Sequence, residues 1–476
     1  MTFDADGILA ELRALREGDA PTHGGRVLSY VYDPGLAELD ELAADAARLM
    51  QPVNGLDPTT FGSVAALERD LIGFVRGLLH GDESVVGTVT TGGTESCLLA
   101  VKTARDAWVA AGGQGAPRLV IPATAHAAFQ KAAHYFGLAL DLVPVSESGE
   151  VTAAAIAERL GADVALVVVS APSYPVAALD PVAEVAALCA ERGIALHVDA
   201  CIGGLVLPFW AGLPAWDFAV PGVTSISADL HKYGYAPKGV SVLLQRGRDR
   251  QRLQYFATTR WPGYPVVNPT ILGSKSAGPL AASWAITRAL GVDGFQRLAD
   301  STRRSTEAIV AAIEGIEGLR VLGAPAGPLL AVATDPAVPE DRQVDPHHWA
   351  DAVRGFGFVL QLQPANAGIP STTHLTITPV TESVLPELLG ALAQGADAVR
   401  GIPHVDAAPL LGALPPLEGG LDSDTAAAIL LGFGIGGGEG GLPDRLAPLL
   451  AIIEATPAPL AERLLTELLA RLVEPS

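Results

Sequence analysis

A chain of 476 residues that is 49% hydrophobic and 17% charged has the apolar material for a large buried core, and its 52 Gly and 36 Pro stay below low-complexity levels, so disordered, collagen-like and linker classes are excluded. Lysine and arginine number 31 against 52 aspartate and glutamate, a formal net charge of -21 that repels phosphate backbones and anionic lipid surfaces and argues against nucleic acid as a partner. Cys97, Cys189 and Cys201 are too few and too scattered for a disulfide framework or a Cys-rich zinc site, and fit a reducing, cytoplasmic setting.

The opening segment, MTFDADGILAELR, carries Asp4 and Asp6 where a secretory signal has positive charge, so export is not expected. The longest apolar runs, such as Val164 to Val169 and Ile202 to Trp210, fall short of the ~18–20 residues that cross a bilayer, and no membrane span is expected. Between residues 85 and 246, short β-branched runs alternate with helical patterns, the signature of a parallel sheet covered on both faces. Strands are predicted at VVGTVT, RLVIPA, LDLVPV, VALVVVS, IALHVDA, SISADL and GVSVLLQR, seven in all. Helices fit between them at Thr94–Ala111, Ala127–Phe136, Val151–Leu160 and Val182–Glu191, the last with Asp180 as cap and Pro181 in its first turn.

From about residue 300 the pattern changes to a long helix, short strands near Arg320, Leu329, Phe358 and Thr373, and a helix over Glu382–Arg400, which reads as a smaller α+β domain. Beyond Gly401 come a Gly-rich turn at Gly432–Gly441 and an amphipathic helix whose Leu460, Leu464, Leu465, Leu468 and Leu472 form a stripe expected to pack against the body or a second subunit. The tail matches G-x-G-x-x-G at Gly432, Gly434 and Gly437, but Pro443 follows and no βαβ unit surrounds it, so dinucleotide binding is not inferred.

Three segments carry candidate chemistry. In SISADLHKYG, Lys232 follows an apparent buried strand with His231 before it; desolvation there would lower the lysine pKa and suit it to forming a Schiff base. In HVDACIGG, strand alternation puts His197, Asp199 and Cys201 on one face; no fourth ligand follows, so the expectation is no metal but an acid at the carboxyl end of a parallel strand, able to pair with a protonated ring nitrogen. In TTGGTES, residues 90–96, small residues open a helix after a strand and suit an anion at its N-terminus, although no Walker A lysine follows.

Taken together, TTGGTESCLLAVKTARD, AHAAFQKAAHYFG, HVDACIGGLVLPF and ADLHKYGYAPKGVSVLL resemble the sphingosine-1-phosphate lyase family within the group II pyridoxal-phosphate-dependent decarboxylases, over about residues 30–400. The resemblance implies an α/β chain of the type I pyridoxal phosphate (aspartate aminotransferase-like) fold, a homodimer with sites at the subunit interface, and pyridoxal 5'-phosphate as cofactor. The chain is accordingly divided into residues 1–60, contributing to the site and the dimer, 61–300 as the large cofactor-binding domain with a mainly parallel seven-stranded sheet, 301–400 as a small domain, and 401–476 as an extension that lies outside the resemblance.

Carried over to this sequence, Lys232 is the Schiff-base lysine, Asp199 pairs with the pyridine nitrogen, and His126 stacks on the ring. Gly93, Thr94 and His231 match cofactor-phosphate positions, Gly273 and Ser274 reach the phosphate from the other subunit, and Cys201 packs behind the ring. Lys238 and Tyr32 move a proton or hold a substrate anion, and Asn54 falls in a substrate-side turn. The sequence departs from the family at VNGLDPTTFGSV, where Asp57 stands in place of a histidine of the Asn-Pro-Leu-His-Pro pattern; a carboxylate there would repel a phosphate monoester. The activity implied is retro-aldol cleavage of a β-hydroxy amine, a phosphorylated sphingoid base among the candidates, to an aldehyde and an amine. The alternatives are α-decarboxylation of an L-amino acid and a non-catalytic regulatory protein on the same fold.

Overall fold

The run Val164–Ser170 is buried along its whole length and so needs cover on both faces, which places it at the centre of a sheet rather than on an edge. The computed structural model describes residues 3–411, 421–432 and 445–475. Three helices, α1 (Ala5–Leu15), α2 (Ala37–Met50) and α3 (Gly62–Leu78), precede the alternating region. That region runs β1 (Val85–Thr90), α4 (Gly93–Ala110), β2 (Arg118–Pro122), α5 (Ala128–Phe136), β3 (Ala139–Val143), α6 (Ala153–Ala157), β4 (Val164–Ser170), α7 (Val182–Glu191), β5 (Ala195–Asp199), β6 (Ser225–Ala228) and β7 (Ser241–Arg246).

The seven strands lie in the order β1-β7-β6-β5-β4-β2-β3, parallel except for β7, which runs antiparallel to both β1 and β6. All seven predicted strands are present, and the carboxyl ends of β4, β5 and β6 bring Ser170, Asp199 and Asp229 to one rim of the sheet, where open α/β sheets take their ligands. Asp180 does not cap α7 as expected. Its carboxylate is buried and accepts from Ser170 N at 2.7 Å, so burial pushes its pKa up to about 7 and the residue fastens the end of β4 instead. The helix expected over Val151–Leu160 is confined to Ala153–Ala157, capped by Thr152.

After α8 (Arg248–Arg252) and the hairpin β8 (Phe256–Thr258) and β9 (Val266–Asn268), the long helix α9 spans Gly278–Glu314, beginning some twenty residues earlier than the sequence pattern indicates and interrupted at Gly291 (φ 56°). A second, antiparallel sheet follows, ordered β10 (Leu319–Val321), β11 (Leu329–Thr334), β13 (Thr372–Thr376) and β12 (Gln361–Gln363). It packs on α10 (Pro346–Arg354) and α11 (Thr381–Val399) around Trp349, Phe358 and Leu388, a core distinct from that of the large sheet.

The described tail comprises α12 (Ala408–Leu411), α13 (Ser423–Gly432), α14 (Ala447–Ala455) and α15 (Ala458–Leu472). Leu460, Leu464 and Leu468 pack with Ile429 and Leu430 of α13, whereas Leu465 and Leu472 of the same predicted stripe are exposed, because the contact face is narrower than the stripe. The Gly434–Gly437 motif lies outside the described residues. Among the described residues no helix is long and apolar enough to cross a membrane.

One histidine fastens the tail. His404 Nδ1 lies 2.7 Å from Asp345 Oδ2 and Nε2 lies 2.9 Å from Glu454 Oε2, so both ring nitrogens face carboxylates and the hydrogen bond to Asp345 is the main cause of a pKa raised to about 9. A raised folded-state pKa gives stabilisation that is complete below the ordinary histidine value and is lost as pH rises through about 9. We predict that His404→Gln loosens the docking of residues 447–455 by on the order of 1 kcal/mol at neutral pH, since solvent screens a half-exposed pair. Hydrogen exchange of α14 should show the mutant and parent converging above pH 9.

Candidate functional site

The rim of the large sheet opens into a cavity of about 950 Å³, a size suited to a cofactor together with part of a substrate. Its walls include Tyr32, Gly93, Thr94, His126, Asp199, His231, Lys232 and Lys238, eight of the residues singled out from sequence and drawn from segments up to two hundred residues apart.

Lys232 follows β6 by four residues, and its Nζ lies 2.9 Å from Oδ2 of Asp229, which is 1% exposed. Burial works to lower the lysine pKa, but the combined attraction of Asp229, Cys201, Tyr32 and Asp199, Asp229 the strongest of the four, holds the ammonium well above its ordinary range. The expectation of a depressed Lys232 pKa is therefore corrected: it considered desolvation without the buried counter-charge three residues earlier. Burial likewise tends to raise Asp229, yet Lys232 and then His231 keep it low. Asp229 Oδ1 is buried without a hydrogen-bond partner among the described residues, and His231 Nε2 stands 3.6 Å from Oδ2.

The N-terminus of α4 approaches this pair closely because residue 93 has no side chain. A Cβ on Gly93 would lie 2.5 Å from Asp229 Oδ2 and 2.9 Å from Cys201 Sγ. Gly92, at φ 153°, makes the turn into the helix. The first N–H groups of a helix have no partner within it, so Gly93 and Thr94 present an anion site to the cavity.

Asp199 ends β5. Its Oδ1 accepts from Cys201 N at 3.1 Å and from Ser227 Oγ at 3.4 Å, which fixes the carboxylate in the cavity wall. His197, on the same face of β5, is fully buried with its ring nitrogens 2.9 Å from Ser225 Oγ and 3.2 Å from Ser227 Oγ, and burial lowers its pKa to about 4. The neutral imidazole thus buttresses Asp199 through Ser227. The three groups whose ligand atoms cluster, within 4.8 Å of one another, are Cys97, Asp199 and Cys201; His197 is not among them.

His126 sits at the start of α5 with Nδ1 accepting from Ala128 N at 3.1 Å, its outer face open to the cavity. Lys238 Nζ donates to His231 O at 3.1 Å and lies 4.6 Å above the Tyr32 ring. Although the residue keeps an exposed face, surrounding protein desolvates its ammonium, and with repulsion from Lys232 this lowers its pKa to about 8. Burial pushes the Tyr32 phenol the other way, to about 12.

Asn54, Asp57, Gly273 and Ser274 stand outside this wall. Asn54 Nδ2 donates to Ser274 Oγ at 3.3 Å, so the two segments named from sequence meet each other. Asp57 accepts from the hydroxyls of Thr59 and Thr60, each at 2.6 Å, and from both of their amides; these bonds hold its carboxyl below the usual range and occupy its oxygens locally.

Residues that the sequence reading passed over are Asp229, Glu95, Tyr174 and Gln361. The first two lie inside motifs already quoted, Asp229 three positions before Lys232 and Glu95 in the first turn of α4, and could have been found there. Tyr174 and Gln361 had no local signal: Tyr174 Oη donates to Gln361 Oε1 at 2.6 Å, and Gln361 Nε2 donates to Tyr30 Oη at 2.8 Å, across 187 and 331 positions.

The donor set fits pyridoxal phosphate: an amine for its aldehyde, a fixed carboxylate for its ring nitrogen, an imidazole at the mouth, and a helix start that a single Cβ would obstruct, for its phosphate.

Comparison with known proteins agrees with this geometry. Residues 54–321 match the pyridoxal-dependent decarboxylase conserved domain, and residues 405–471 match a pyridoxal-dependent enzyme C-terminal putative HTH domain. The sphingosine-1-phosphate lyase of Dictyostelium discoideum is 36% identical over 337 residues, 69% of this chain and 63% of that protein. That of Oryza sativa is 34% identical over 383 residues, 79% of this chain and 68% of the relative. The chain thus spans a little under two thirds of the first of these relatives. Among solved structures, a sphingosine-1-phosphate lyase of Burkholderia pseudomallei superposes with a TM-score of 0.78 at 32% identity, covering 84% of this chain and 92% of the other. A Lactobacillus brevis glutamate decarboxylase, at 19% identity and TM-score 0.75, shares the fold.

The Asp229–Lys232 pair yields a test of the site. Asp229→Asn removes the attraction and leaves burial, so Lys232 should titrate lower; the pH at which apoprotein begins to react with an added aldehyde should fall by at least one unit, read by borohydride trapping and mass spectrometry.

Proposed function

Because the chain belongs to the pyridoxal-dependent decarboxylases and, within them, to the sphingosine-1-phosphate lyase family, we propose that it is a pyridoxal-phosphate-dependent carbon–carbon lyase that cleaves a β-hydroxy amine, a phosphorylated sphingoid base, to an aldehyde and an amine. Lys232 would hold the cofactor's aldehyde carbon, Asp199 its ring nitrogen, His126 a face of the ring, and Gly93, Thr94 and His231 its phosphate, with Gly273 and Ser274 completing that phosphate site from the second subunit of a homodimer. When bound, the cofactor supplies an electron sink for the substrate α-carbon.

The remaining work is proton handling and recognition. In the cleavage, the β-hydroxyl proton leaves, its O–H electrons form the aldehyde carbonyl as the Cα–Cβ bond breaks, and the α-carbon takes up a proton. Lys238, with a pKa near 8, has free amine available near neutral pH and is the base; Tyr32, pushed to about 12, keeps its proton and holds Lys238 across its ring face. The observation that carries the lyase reading is the composition of the cavity wall. Its cations are lysines and histidines with no arginine, so the bidentate carboxylate clamp that would favour an amino acid substrate is missing among the described lining residues, while Leu98, Tyr135, Phe136, Ile271 and Leu272 offer an apolar surface to a chain. Asp57 keeps its negative charge, which the bonds from Thr59 and Thr60 stabilise, but it stands outside the cavity wall that would face a phosphate.

We read the chain as an N-terminal segment (1–60), a cofactor domain (61–300), a small domain (301–400) and an extension. Nine acidic residues against three arginines within 405–471 disfavour nucleic acid as the target of the extension despite the name of its family. A cytoplasmic setting suits three free buried thiols.

Purified, cofactor-loaded protein given phosphorylated and unphosphorylated sphingoid bases and a pool of amino acids should release long-chain aldehyde from the phosphorylated base, detected by mass spectrometry. Carbon dioxide release from an amino acid without aldehyde would make the protein a decarboxylase instead. In the lyase, kcat/KM should rise with pH through an apparent value near 8 as Lys238 loses its proton, and Lys238→Arg should remove that limb and lower the rate by roughly 100-fold or more.

A further inference from the structure

Glu95 is buried in the first turn of α4, and its two oxygens serve two different segments. Oε2 accepts from Thr91 N at 2.6 Å and Thr91 Oγ1 at 2.9 Å. Oε1 accepts from Ile271 N at 2.6 Å and Leu272 N at 3.3 Å, some 176 positions along the chain. Burying a carboxylate is costly unless its lone pairs are met by donors, and here four donors together with the helix N-terminus meet that need. A reach back from the third helical position to the preceding amide is a local capping device and accounts for the Thr91 bonds. It does not account for the bonds to Ile271 and Leu272.

Both segments border the cavity. Thr91 leads directly into Gly92–Thr94, and Leu272 leads directly into Gly273–Ser274. A negative side chain beside an anion site is unfavourable unless its charge is turned away from the anion. Glu95 meets this condition, since its oxygens are taken up by donors on the flanks of the two segments and the turn itself is left to the anion. We infer that Glu95 is a positioning residue that joins the Gly92–Thr94 turn and the 271–274 loop into one rigid unit, so that affinity for the cofactor's phosphate, as distinct from its ring, depends on it. This rests on the reading of Gly93 and Thr94 as the phosphate turn.

The test compares pyridoxal phosphate with pyridoxal, which has the same aldehyde and ring but no phosphate, binding to apoprotein of the parent, Glu95→Gln, Glu95→Asp and Thr94→Asp, alongside the melting temperature of each apoprotein. Glutamine keeps one acceptor and turns an amide toward N–H donors; aspartate keeps the charge but is too short to hold both segments. Expected for both Glu95 variants is a loss of at least tenfold in pyridoxal phosphate affinity with pyridoxal affinity within twofold of the parent. A fall of both ligands together with the melting temperature would show a general structural role and overturn the inference, as would an unchanged ratio. If Thr94→Asp leaves the ratio unchanged, the phosphate-turn reading fails. If Thr94→Asp collapses it while the Glu95 variants do not, the inference about Glu95 alone fails. Should Glu95→Gln not fold, Glu95→Asp decides by the same ratio.

Discussion

The floor of the cavity is an ammonium–carboxylate pair, the partly buried Lys232 against the buried Asp229, and most of the neighbouring geometry follows from the need to keep it charged and close. Two ions taken out of water lose several kcal/mol of hydration each, and only a short contact with further polar support offsets that loss. The protein supplies the short contact at 2.9 Å, places His231 on the same carboxylate, and brings the start of a helix alongside, where its partial positive charge favours an anion. A glycine at 93 is the condition for that approach, because any side chain would strike Asp229 and Cys201.

From this floor the remaining walls sort by electrostatic duty. Asp199 is held by Cys201 N and by Ser227, itself braced by a neutral His197, so that a negative group faces the cavity from β5. Lys238, desolvated and repelled by Lys232, has its pKa lowered to about 8. Two lysines six positions apart thus take opposite electrostatic states: one is fixed as an ammonium by Asp229, the other is free to exchange a proton. That division of labour depends on distances of a few ångströms and not on residue type.

The small sheet contributes one uncharged wall residue, Gln361 of β12. That residue ties Tyr174 to Tyr30, linking three segments of the cavity wall, and the hairpin that carries Gln361 is in turn tied to the tail, where Glu454 accepts from Ala365 N and Ser371 Oγ. The same Glu454 meets His404, so the extension is fastened to the segment that shapes the cavity's outer wall.

Much of this was readable in the linear chain. The seven strands were legible because a sheet buried on both faces demands unbroken β-branched runs, and VALVVVS and IALHVDA admit no other placement. Lys232, Asp199, His231 and the Gly93 turn were picked out because four motifs that occur together resemble one enzyme family; taken singly, a lysine at a strand end and a Gly-Gly turn into a helix are weak signals. Local sequence could not supply what depends on residues meeting through space. Asp180 reads as a helix cap but turns back to Ser170, since a strand end offered its carboxylate a nearer donor. Lys232 reads as a desolvated amine of low pKa, but the fold gathers Asp229, Cys201, Tyr32 and Asp199 around it and together they reverse the sign. The chain order fixes which groups are present and on which strand ends; pKa values, the joining of residues 91 and 271 by Glu95, and the linking of Tyr30 to Tyr174 by Gln361 arise only once packing sets the distances, because Coulombic and hydrogen-bond energies change steeply over the last few ångströms.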